Sequence, residues 1–293
     1  MNKIHLVSKG NANIVISIEN DDILYRLGIK FKSLETNNEY TLKNWSFIQK
    51  EIIPIFGSYL CPMELCDLNL SLNLTKLYSQ YVLLDSIKSN SIFCFKLPNL
   101  NPHLSTAKCL HNDHQTRLFY NNIQNTLIME IKPKWLHNPL EYCRNCTHNK
   151  YKGRNINYCY RKLLFQRGEY IKEIFKNINI LEEQLGIMND YFSTEDNILQ
   201  IIYNEQSKIH HLIIESGNEE KLPLLMTLRD VTCFIKWQFF RKNFNNNRTT
   251  KSTLNANVEA LIVDVDLKTP EKKIYWGNME KQLNSYTNKV YHQ

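Results

Sequence analysis

The sequence predicts a mixed α+β fold, because strand patterns and helix patterns occupy different parts of the chain. Apolar and alternating segments near the N-terminus, at 13–18 and 23–31, are typical of strands. The middle of the chain, from about residue 160 to 213, has the apolar spacing of helices. Strand patterns return at 231–240 and 260–267. The 293 residues are enough for one large domain or for two lobes.

The N-terminal segments are expected to form a hairpin followed by a helix. Alternation in segment 23–31 places four apolar side chains on one face, those of Tyr25, Leu27, Ile29 and Phe31. The polar residues 19–22 separate this segment from 13–18, which predicts two antiparallel strands. Next, Trp45, Ile48, Ile52 and Ile55 recur at helical spacing, so an amphipathic helix is predicted over about 42–53.

The remaining elements follow from shorter patterns. Strands are predicted at 92–97 and at 127–132, the second of which is ended by Pro133. The clearest helical pattern in the middle of the chain lies within 198–213. Between the two strand patterns of the last third, the polar stretch 242–257 is interpreted as a loop.

Carboxylates gather where those last two strand patterns would meet. In an antiparallel hairpin, the start of the first strand lies beside the end of the second. Asp230 would then lie near Asp264 and Asp266. Clustered carboxylates repel one another and need a nearby cation, and Mg²⁺ is bound through one or two carboxylates plus substrate phosphates. The alternative interpretation is a row of solvated charges on an exposed strand.

The charge balance suits an anionic partner. The formal net charge is +7, which fits nucleic acid, acidic lipid or a phosphorylated small molecule, but also serves solubility alone. Lys132 and Lys134 flank Pro133 and are expected to point the same way, either toward a phosphate-rich ligand or from a basic surface turn. The turn Gly10–Asn13 could lay backbone N–H groups on phosphates, with Lys30 adding charge.

The cysteines indicate thiols or a metal site. No apolar run is long enough for a transmembrane helix, and the polar residues 8–11 interrupt what a secretory signal would need. The eight cysteines are therefore expected in a reducing compartment. Cys143 and Cys146 form a C-x₂-C pair, and Cys159 follows. We predict zinc bound by these three and one unidentified ligand, with reduced structural thiols as the alternative.

Short motifs follow one another in order along most of the chain: Gly10-Asn11-Ala12-Asn13, Cys61-Pro62-Met63, Asn112-Asp113-His114, Glu130 to Lys134, Cys143 to His148, Lys152-Gly153-Arg154, Tyr158-Cys159-Tyr160, Leu225 to Ile235 and Val263 to Lys268. Each is weak alone, but together they resemble one family, the inositol-pentakisphosphate 2-kinases in their fungal form. The resemblance implies a two-lobed, kinase-like α+β fold. Its N-lobe, 1–128, would hold an antiparallel sheet plus a helix and bind nucleotide. Its larger C-lobe, 129–293, would hold a sheet and helices, bind inositol phosphate and carry out catalysis.

The same resemblance implies an activity. The enzyme would move the γ-phosphate of ATP, with Mg²⁺, to the axial 2-hydroxyl of inositol 1,3,4,5,6-pentakisphosphate, giving inositol hexakisphosphate (phytate). Phosphoryl transfer requires positioning and charge neutralisation, and a substrate with five phosphates requires several converging cations. The resemblance also implies a monomer in the nucleus, with the cytoplasm as a second location. No nucleic-acid partner and no membrane span are expected.

The family resemblance also implies roles for individual residues of this sequence. The expected nucleotide contacts are Gly10, Asn11, Ala12, Asn13, Lys30, Asn112, Asp113, His114, Glu130 and Lys132. The expected substrate-phosphate ligands are Lys134, His148, Lys152, Lys268 and Lys272. Asp230 resembles the catalytic acidic residue that takes the hydroxyl proton, with Lys132 as a second catalytic candidate. Asp264 resembles the Mg²⁺ ligand, and Asp230 is a further candidate for that metal.

Two other functions remain open at this point. A non-catalytic inositol-phosphate sensor or scaffold would use the same lysines but would not need Asp230. A basic nucleic-acid-binding protein would bind with a steep dependence on salt, yet the sequence contains no recognised nucleic-acid-binding motif. The joint presence of Asp230, Asp264, Glu130 and Lys132 favours the kinase.

Overall fold

The computed structural model of the chain describes residues 3–84, 91–101, 106–166, 169–217, 219–246, 249–269 and 271–292. Contacts divide the chain into two compact units, residues 1–101 and 102–293. Each unit is built on its own five-stranded antiparallel sheet, with helices from the same part of the chain. The predicted α+β class is therefore confirmed. None of the described helices combines the length and apolarity needed to cross a bilayer.

The sheet of the first unit has the strand order β1-β2-β3-β5-β4. Its strands are β1 (Ile4–Lys9), β2 (Asn13–Ile18), β3 (Asn20–Gly28), β4 (Glu64–Asn69) and β5 (Ser91–Pro98). Its helices are α1 (Leu34–Phe47), a π-helical continuation (Ile48–Ile52), α2 (Ile53–Phe56), a 3₁₀ turn (Gly57–Tyr59) and α3 (Leu72–Tyr78). Apolar side chains of β2, β3 and β5 form its core with α3. The predicted hairpin is present as β2 and β3, although β3 begins three residues early, after a tight turn at Glu19.

Helix α1 begins well before the predicted start at residue 42. Its first turns carry buried asparagines that bind backbone groups outside the helix. Asn37 accepts from Phe31 N at 3.0 Å and donates to Phe31 O at 2.8 Å. Asn38 accepts from Phe93 N at 2.9 Å. Because these core-facing side chains are polar, apolar periodicity could not detect them.

The second sheet has the order β10-β9-β8-β7-β6. Its strands are β6 (Ala107–Asn112), β7 (Thr116–Asn121), β8 (Thr126–Ile131), β9 (Thr232–Asn246) and β10 (Thr249–Val263). The helices are α4 (Arg144–Tyr151), α5 (Tyr160–Phe165), α6 (Glu169–Phe175), α7 (Glu182–Ser193), α8 (Ile198–Ser216), a 3₁₀ turn (Glu219–Lys221), α9 (Leu222–Leu228) and α10 (Lys272–Ser285). The contacts divide the chain at 101/102, and the predicted boundary at 128 lies within β8, which pairs with β9 and joins β7 and β6 to the same sheet.

The predicted antiparallel hairpin of the last third is formed by β9 and β10, and both strands are longer than expected. The interpretation of 242–257 as a loop is wrong for the described residues, which continue the strands on either side of residues 247–248. Asn, Thr, Ser and Lys fill this part of the ladder, so it lacks the apolar alternation by which strands are recognised. Val263 pairs with Thr232, so the chain entering β9 lies beside the chain leaving β10.

Candidate active site

Asp230 lies between α9 and β9, and each of its carboxylate oxygens binds an ammonium group. Lys134 Nζ lies 2.5 Å from Oδ1, and Lys268 Nζ lies 2.5 Å from Oδ2. The Asp230 side chain is 46% exposed, so the carboxylate remains open to solvent. Partial burial acts to raise its pKa, but the two ammonium groups outweigh burial and lower the pKa below its usual value. The structure thus joins three predicted site residues from distant segments around one ionised carboxylate.

A buried glutamine, Gln206, links the backbone segment that carries Lys134 to the segment that carries Asp230. Gln206 on α8 is fully buried, and its Nε2 donates to the carbonyl oxygens of Lys134 and Leu228, both at 2.8 Å. Its Oε1 accepts from His137 N at 2.9 Å. Lys134 adopts a positive φ of 59°, which is uncommon for a residue with a side chain. Gln206 therefore fixes both the strained loop that carries Lys134 and the helix end just before Asp230.

Trp135, which follows Lys134, also contacts the residue that precedes Asp230. The Arg144 guanidinium lies 3.8 Å from the centre of the Trp135 ring, and that of Arg229 lies 3.7 Å from it. Burial lowers the pKa of Arg229 to about 9, so this group keeps its charge at neutral pH. Arg144 Nε also binds Glu280 Oε1 on α10 at 2.5 Å. Desolvated cation–π contacts of this kind are worth about 2 kcal/mol or more.

Asp264 directly follows β10 at the same end of the hairpin. Thr232 Oγ1, at the start of β9, donates to Asp264 Oδ2 at 2.7 Å. The pairing of the two strands thus confirms that the segments carrying Asp230 and Asp264 meet. The strand predicted at 260–267 extends too far at its end, because β10 ends at Val263 and Asp264 adopts a left-handed φ of 60°.

Six basic side chains near this end of the unit are electrostatic neighbours, and we call them the basic cluster: His114, Lys132, Lys134, His148, Lys152 and Arg154. Burial, and then the charges of Arg154, Lys134 and Lys132, lower the pKa of His114. Burial, followed by nearby arginine and lysine charges, lowers the pKa of His148 to about 4. The structure therefore brings together three predicted substrate ligands: Lys134, His148 and Lys152.

Arg154 belongs to the basic cluster, although sequence reasoning did not assign it a role. Its Nη1 donates to Asn149 Oδ1 at 3.2 Å, which orients the guanidinium from the end of α4. The available signal was its place in the Lys152-Gly153-Arg154 motif. Lys272, by contrast, is exposed in the first turn of α10, and the described contacts do not connect it with the basic cluster.

Three of the expected nucleotide contacts, Asn112, Asp113 and His114, lie at the turn between β6 and β7. Asp113 Oδ1 accepts from Gln115 N at 2.7 Å and from Thr116 N at 2.8 Å. Its Oδ2 accepts from Tyr158 OH at 2.7 Å. The Asp113 side chain therefore builds the turn, whereas the side chains of Asn112 and His114 are exposed.

The segment at the end of β8 holds two further predicted nucleotide contacts. Glu130 is 7% exposed and pairs with Arg117, its partner across the β7–β8 ladder. Lys132 N donates to Gln115 O at 2.8 Å, which ties this segment to the β6–β7 turn. Among the described residues Lys132 has no ion-pair partner, so its ammonium group is available to a ligand. Sequence reasoning missed Arg117, which lies outside every motif.

In the first unit the structure brings the predicted glycine turn, Gly10–Asn13, beside the chain that carries Lys30. Gly10 N donates to Asn13 O at 2.8 Å, and Ile29 N donates to Ala12 O at 2.8 Å. Lys30 Nζ lies 4.2 Å from the centre of the Tyr40 ring. A compact backbone turn with an adjacent ammonium group is suited to phosphate.

The three predicted zinc ligands also come together, and His292 supplies a fourth group. The Sγ atoms of Cys143, Cys146 and Cys159 and one His292 ring nitrogen all lie within 4.8 Å of one another. Cys143 and Cys159 are almost fully buried. Sequence spacing could not identify His292, because it follows Cys159 by more than a hundred residues.

Comparison with known proteins yields one consistent family. The model of the family described as Inositol-pentakisphosphate 2-kinase matches residues 7–208. A Saccharomyces cerevisiae protein named inositol-pentakisphosphate 2-kinase is 34% identical over 299 residues, covering 99% of each chain. Proteins of the same name from Candida glabrata and Kluyveromyces lactis are 32% and 31% identical. The alignment with the Candida glabrata protein covers 98% of this chain and 100% of that protein. The alignment with the Kluyveromyces lactis protein covers 97% of this chain and 95% of that protein.

Proposed function

Because this chain belongs to the inositol-pentakisphosphate 2-kinase family and is a phosphotransferase of that kind, we propose that it transfers the γ-phosphate of ATP to the axial 2-hydroxyl of inositol 1,3,4,5,6-pentakisphosphate. The product is inositol hexakisphosphate. The main structural support for the proposed residue roles is the ionised Asp230, which lies between Lys134 and Lys268. A general base must be deprotonated before the reaction, and these two ammonium groups keep it so.

Asp230 accepts the proton of the substrate hydroxyl as the phosphoryl group is transferred. The lysines that lower its pKa are also the proposed partners of substrate phosphates. When phosphate oxygens share these ammonium groups, their pull on Asp230 weakens and its proton affinity rises. Substrate binding therefore makes Asp230 a better base at the moment when a base is needed.

The basic cluster neutralises the phosphates of the substrate. Charge-assisted hydrogen bonds from ammonium and guanidinium groups to phosphate are about twice as strong as neutral ones. Arg154 joins Lys134, His148 and Lys152 as a substrate ligand, because its charge acts on His114 and His148 of the basic cluster and Asn149 holds it in place. Glu130 acts as a positioning residue for Arg117 and the end of β8, because it is nearly buried and already paired.

ATP and Mg²⁺ are the proposed cofactors. In the first unit, the glycine turn and Lys30 contact phosphates of the nucleotide. In the second unit, Lys132 offers an ammonium group to an anionic ligand. Asp264 in the second unit offers an exposed carboxylate, a ligand type that suits Mg²⁺, and this ion would neutralise negative charge on phosphate oxygens. Asp230 is less suited to its predicted second role as a metal ligand, because both of its oxygens already bind ammonium groups.

The test is product formation by the purified chain with radiolabelled ATP, Mg²⁺ and inositol 1,3,4,5,6-pentakisphosphate, followed by anion-exchange separation. A labelled hexakisphosphate peak that disappears with a chelator supports the proposal. Retained inositol-phosphate binding without any labelled product would identify the sensor instead. Nuclear residence and a monomeric state are further proposals from the family resemblance, tested by imaging a fluorescent fusion and by analytical ultracentrifugation.

A further inference from the structure

The group formed by Cys143, Cys146, Cys159 and His292, here called the cysteine–histidine cluster, has the dimensions of a tetrahedral metal site. Cys143 Sγ and Cys159 Sγ lie 3.7 Å apart, and Cys146 Sγ lies 3.4 Å from His292 Nε2. A tetrahedron with Zn–S bonds of about 2.3 Å and Zn–N bonds of about 2.0 Å has edges of about 3.8 Å and 3.5 Å. A disulfide, at about 2.05 Å, would require much closer sulfur atoms.

The chemistry of the four groups selects zinc. Three thiolates and one imidazole are soft to borderline ligands, which favour Zn²⁺ over Mg²⁺ or Ca²⁺. Cys143 is 2% exposed and Cys159 is 1% exposed, so a bound ion would be shielded from water. Four protein ligands fill a tetrahedral shell and leave no position for a substrate, which is typical of structural rather than catalytic zinc.

Hydrogen bonds that do not involve the thiols position His292 beside the three cysteines. Cys143 N donates to Val290 O at 2.7 Å, and Val290 N donates to Thr147 Oγ1 at 3.0 Å. These two bonds hold the C-terminal tail against the first turn of α4, two residues before His292. Tyr142 OH donates to Asn284 Oδ1 at 2.8 Å and attaches the end of α10 to the same place.

We propose that the cysteine–histidine cluster is a structural zinc centre that joins the N-terminus of α4, the start of α5 and the C-terminal tail. Helix α4 carries His148, and Lys152 lies at its C-terminal end. The zinc ion therefore fixes one end of a helix whose other end belongs to the basic cluster. It contacts no substrate, and its presence can be measured without any assay of phosphoryl transfer.

The first experiment measures bound metal in the full chain by mass spectrometry after gel filtration in metal-free buffer. We expect about one zinc per chain, and at least a tenfold loss in His292→Ala and in Cys146→Ser. Cys109→Ser and His211→Ala are matched controls, because both are surface-accessible residues outside the cluster, and they should keep the zinc of the unaltered chain. Full zinc content in both cluster variants would mean an adventitious ion only and would overturn the proposal.

Cobalt substitution identifies the ligand set even if a cysteine variant fails to fold. Co²⁺ in the unaltered chain should show the intense visible bands of a tetrahedral site together with sulfur-to-cobalt charge transfer. His292→Cys should retain the metal and strengthen the charge-transfer band, because a fourth sulfur replaces nitrogen. Weak octahedral bands in the unaltered chain, or an unchanged spectrum in His292→Cys, would contradict the assignment.

Discussion

The surroundings of Asp230 and the glycine turn of the first unit are built in different ways. Asp230 is held by contacts between residues far apart in sequence, 96 positions in the case of Lys134 and 38 in the case of Lys268. The glycine turn depends on backbone hydrogen bonds between residues fewer than twenty positions apart. The first arrangement exists only when the second unit is folded, whereas the second arrangement is local to one small sheet.

This difference has a consequence for each region. Around Asp230, side chains set both the position and the ionisation of the reacting group, so single substitutions should change kcat. At the glycine turn, backbone N–H groups are retained in most substitutions, so side-chain changes should act mainly on the affinity for nucleotide. Substitutions in the two regions should therefore differ in which kinetic parameter they change.

Asp230→Asn should lower kcat by about 10³-fold, because a neutral amide cannot accept the hydroxyl proton. The KM for the inositol substrate should stay the same or fall, since Lys134 and Lys268 lose a competitor for the substrate phosphates. Steady-state kinetics with both substrates separate the two parameters. Asp190→Asn, an exposed aspartate on α7, is the matched control and should behave as the unaltered chain does. A normal kcat in Asp230→Asn would remove Asp230 from its role as the base.

Lys268→Ala should raise the KM for the inositol substrate roughly 10- to 100-fold, the equivalent of one lost charge-assisted hydrogen bond. It should also raise the pKa of Asp230, because one of the two ammonium groups that lower that pKa is removed. The acid limb of the kcat/KM–pH profile should therefore move to higher pH. Lys273→Ala, which removes an exposed ion pair with Glu219, is the control and should leave the profile in place.

Gln206→Leu should destabilise the protein by about 2–4 kcal/mol, because it leaves two carbonyl groups and one N–H without their partner. Thermal melting should show a decrease of several degrees in Tm. The variant should also lower kcat, since the loop that carries Lys134 is no longer attached to the chain before Asp230. Gln200→Leu, on the same helix with an exposed hydrogen bond, serves as the control for the substitution itself.

The parts of the site that the sequence predicted share one property: their signal is local. The two strand patterns of the last third predicted a hairpin in which the segments carrying Asp230 and Asp264 meet. The register of β9 and β10 confirms that these segments meet. The C-x₂-C spacing and Cys159 predicted three members of the cysteine–histidine cluster. The glycine turn and Lys30 lie together for the same reason, since one hairpin carries both.

The residues that were missed act through contacts that no pattern encodes. Gln206 is neutral and belongs to no motif, and its only signal is a polar side chain on the apolar face of α8. His292 reaches the cysteines only because the tail binds back to α4. Arg117 depends on the register between β7 and β8. Each of these positions follows from tertiary structure, which periodicity and spacing do not determine.

Lys30→Ala should raise the KM for ATP by several-fold with little change in kcat. Lys30→Arg should retain most of the affinity, because arginine keeps the charge and also stacks on the Tyr40 ring. The KM for the inositol substrate should be unaffected in both variants, as the contrast with Lys268→Ala requires. An effect of Lys30→Ala on kcat as large as that of Asp230→Asn would contradict the distinction between the two regions.

The smallest expected effect is an acid sensitivity that arises in the second unit. Burial lowers the pKa of His137 to about 4, assisted by the charges of His210, Arg229, His211 and Arg161. The unfolded chain therefore takes up a proton near pH 6.5 that the folded chain does not, and stability is lost as the pH falls from about 6.5 to 4. Because His137 is partly exposed, the loss should be roughly 1 kcal/mol.

His137→Asn tests this acid sensitivity, because it removes the titrating ring and keeps the backbone N–H that binds Gln206. Its Tm should fall less steeply with acid than that of the unaltered chain, whereas His5→Asn, an exposed histidine on β1, should not change the slope. Equal slopes in all three proteins would mean that acid acts elsewhere. A flatter slope in His137→Asn alone would place the sensitivity beside the loop that carries Lys134. The loop that carries Lys134 would then contribute less to folding stability at low pH, an effect that is not expected at the glycine turn.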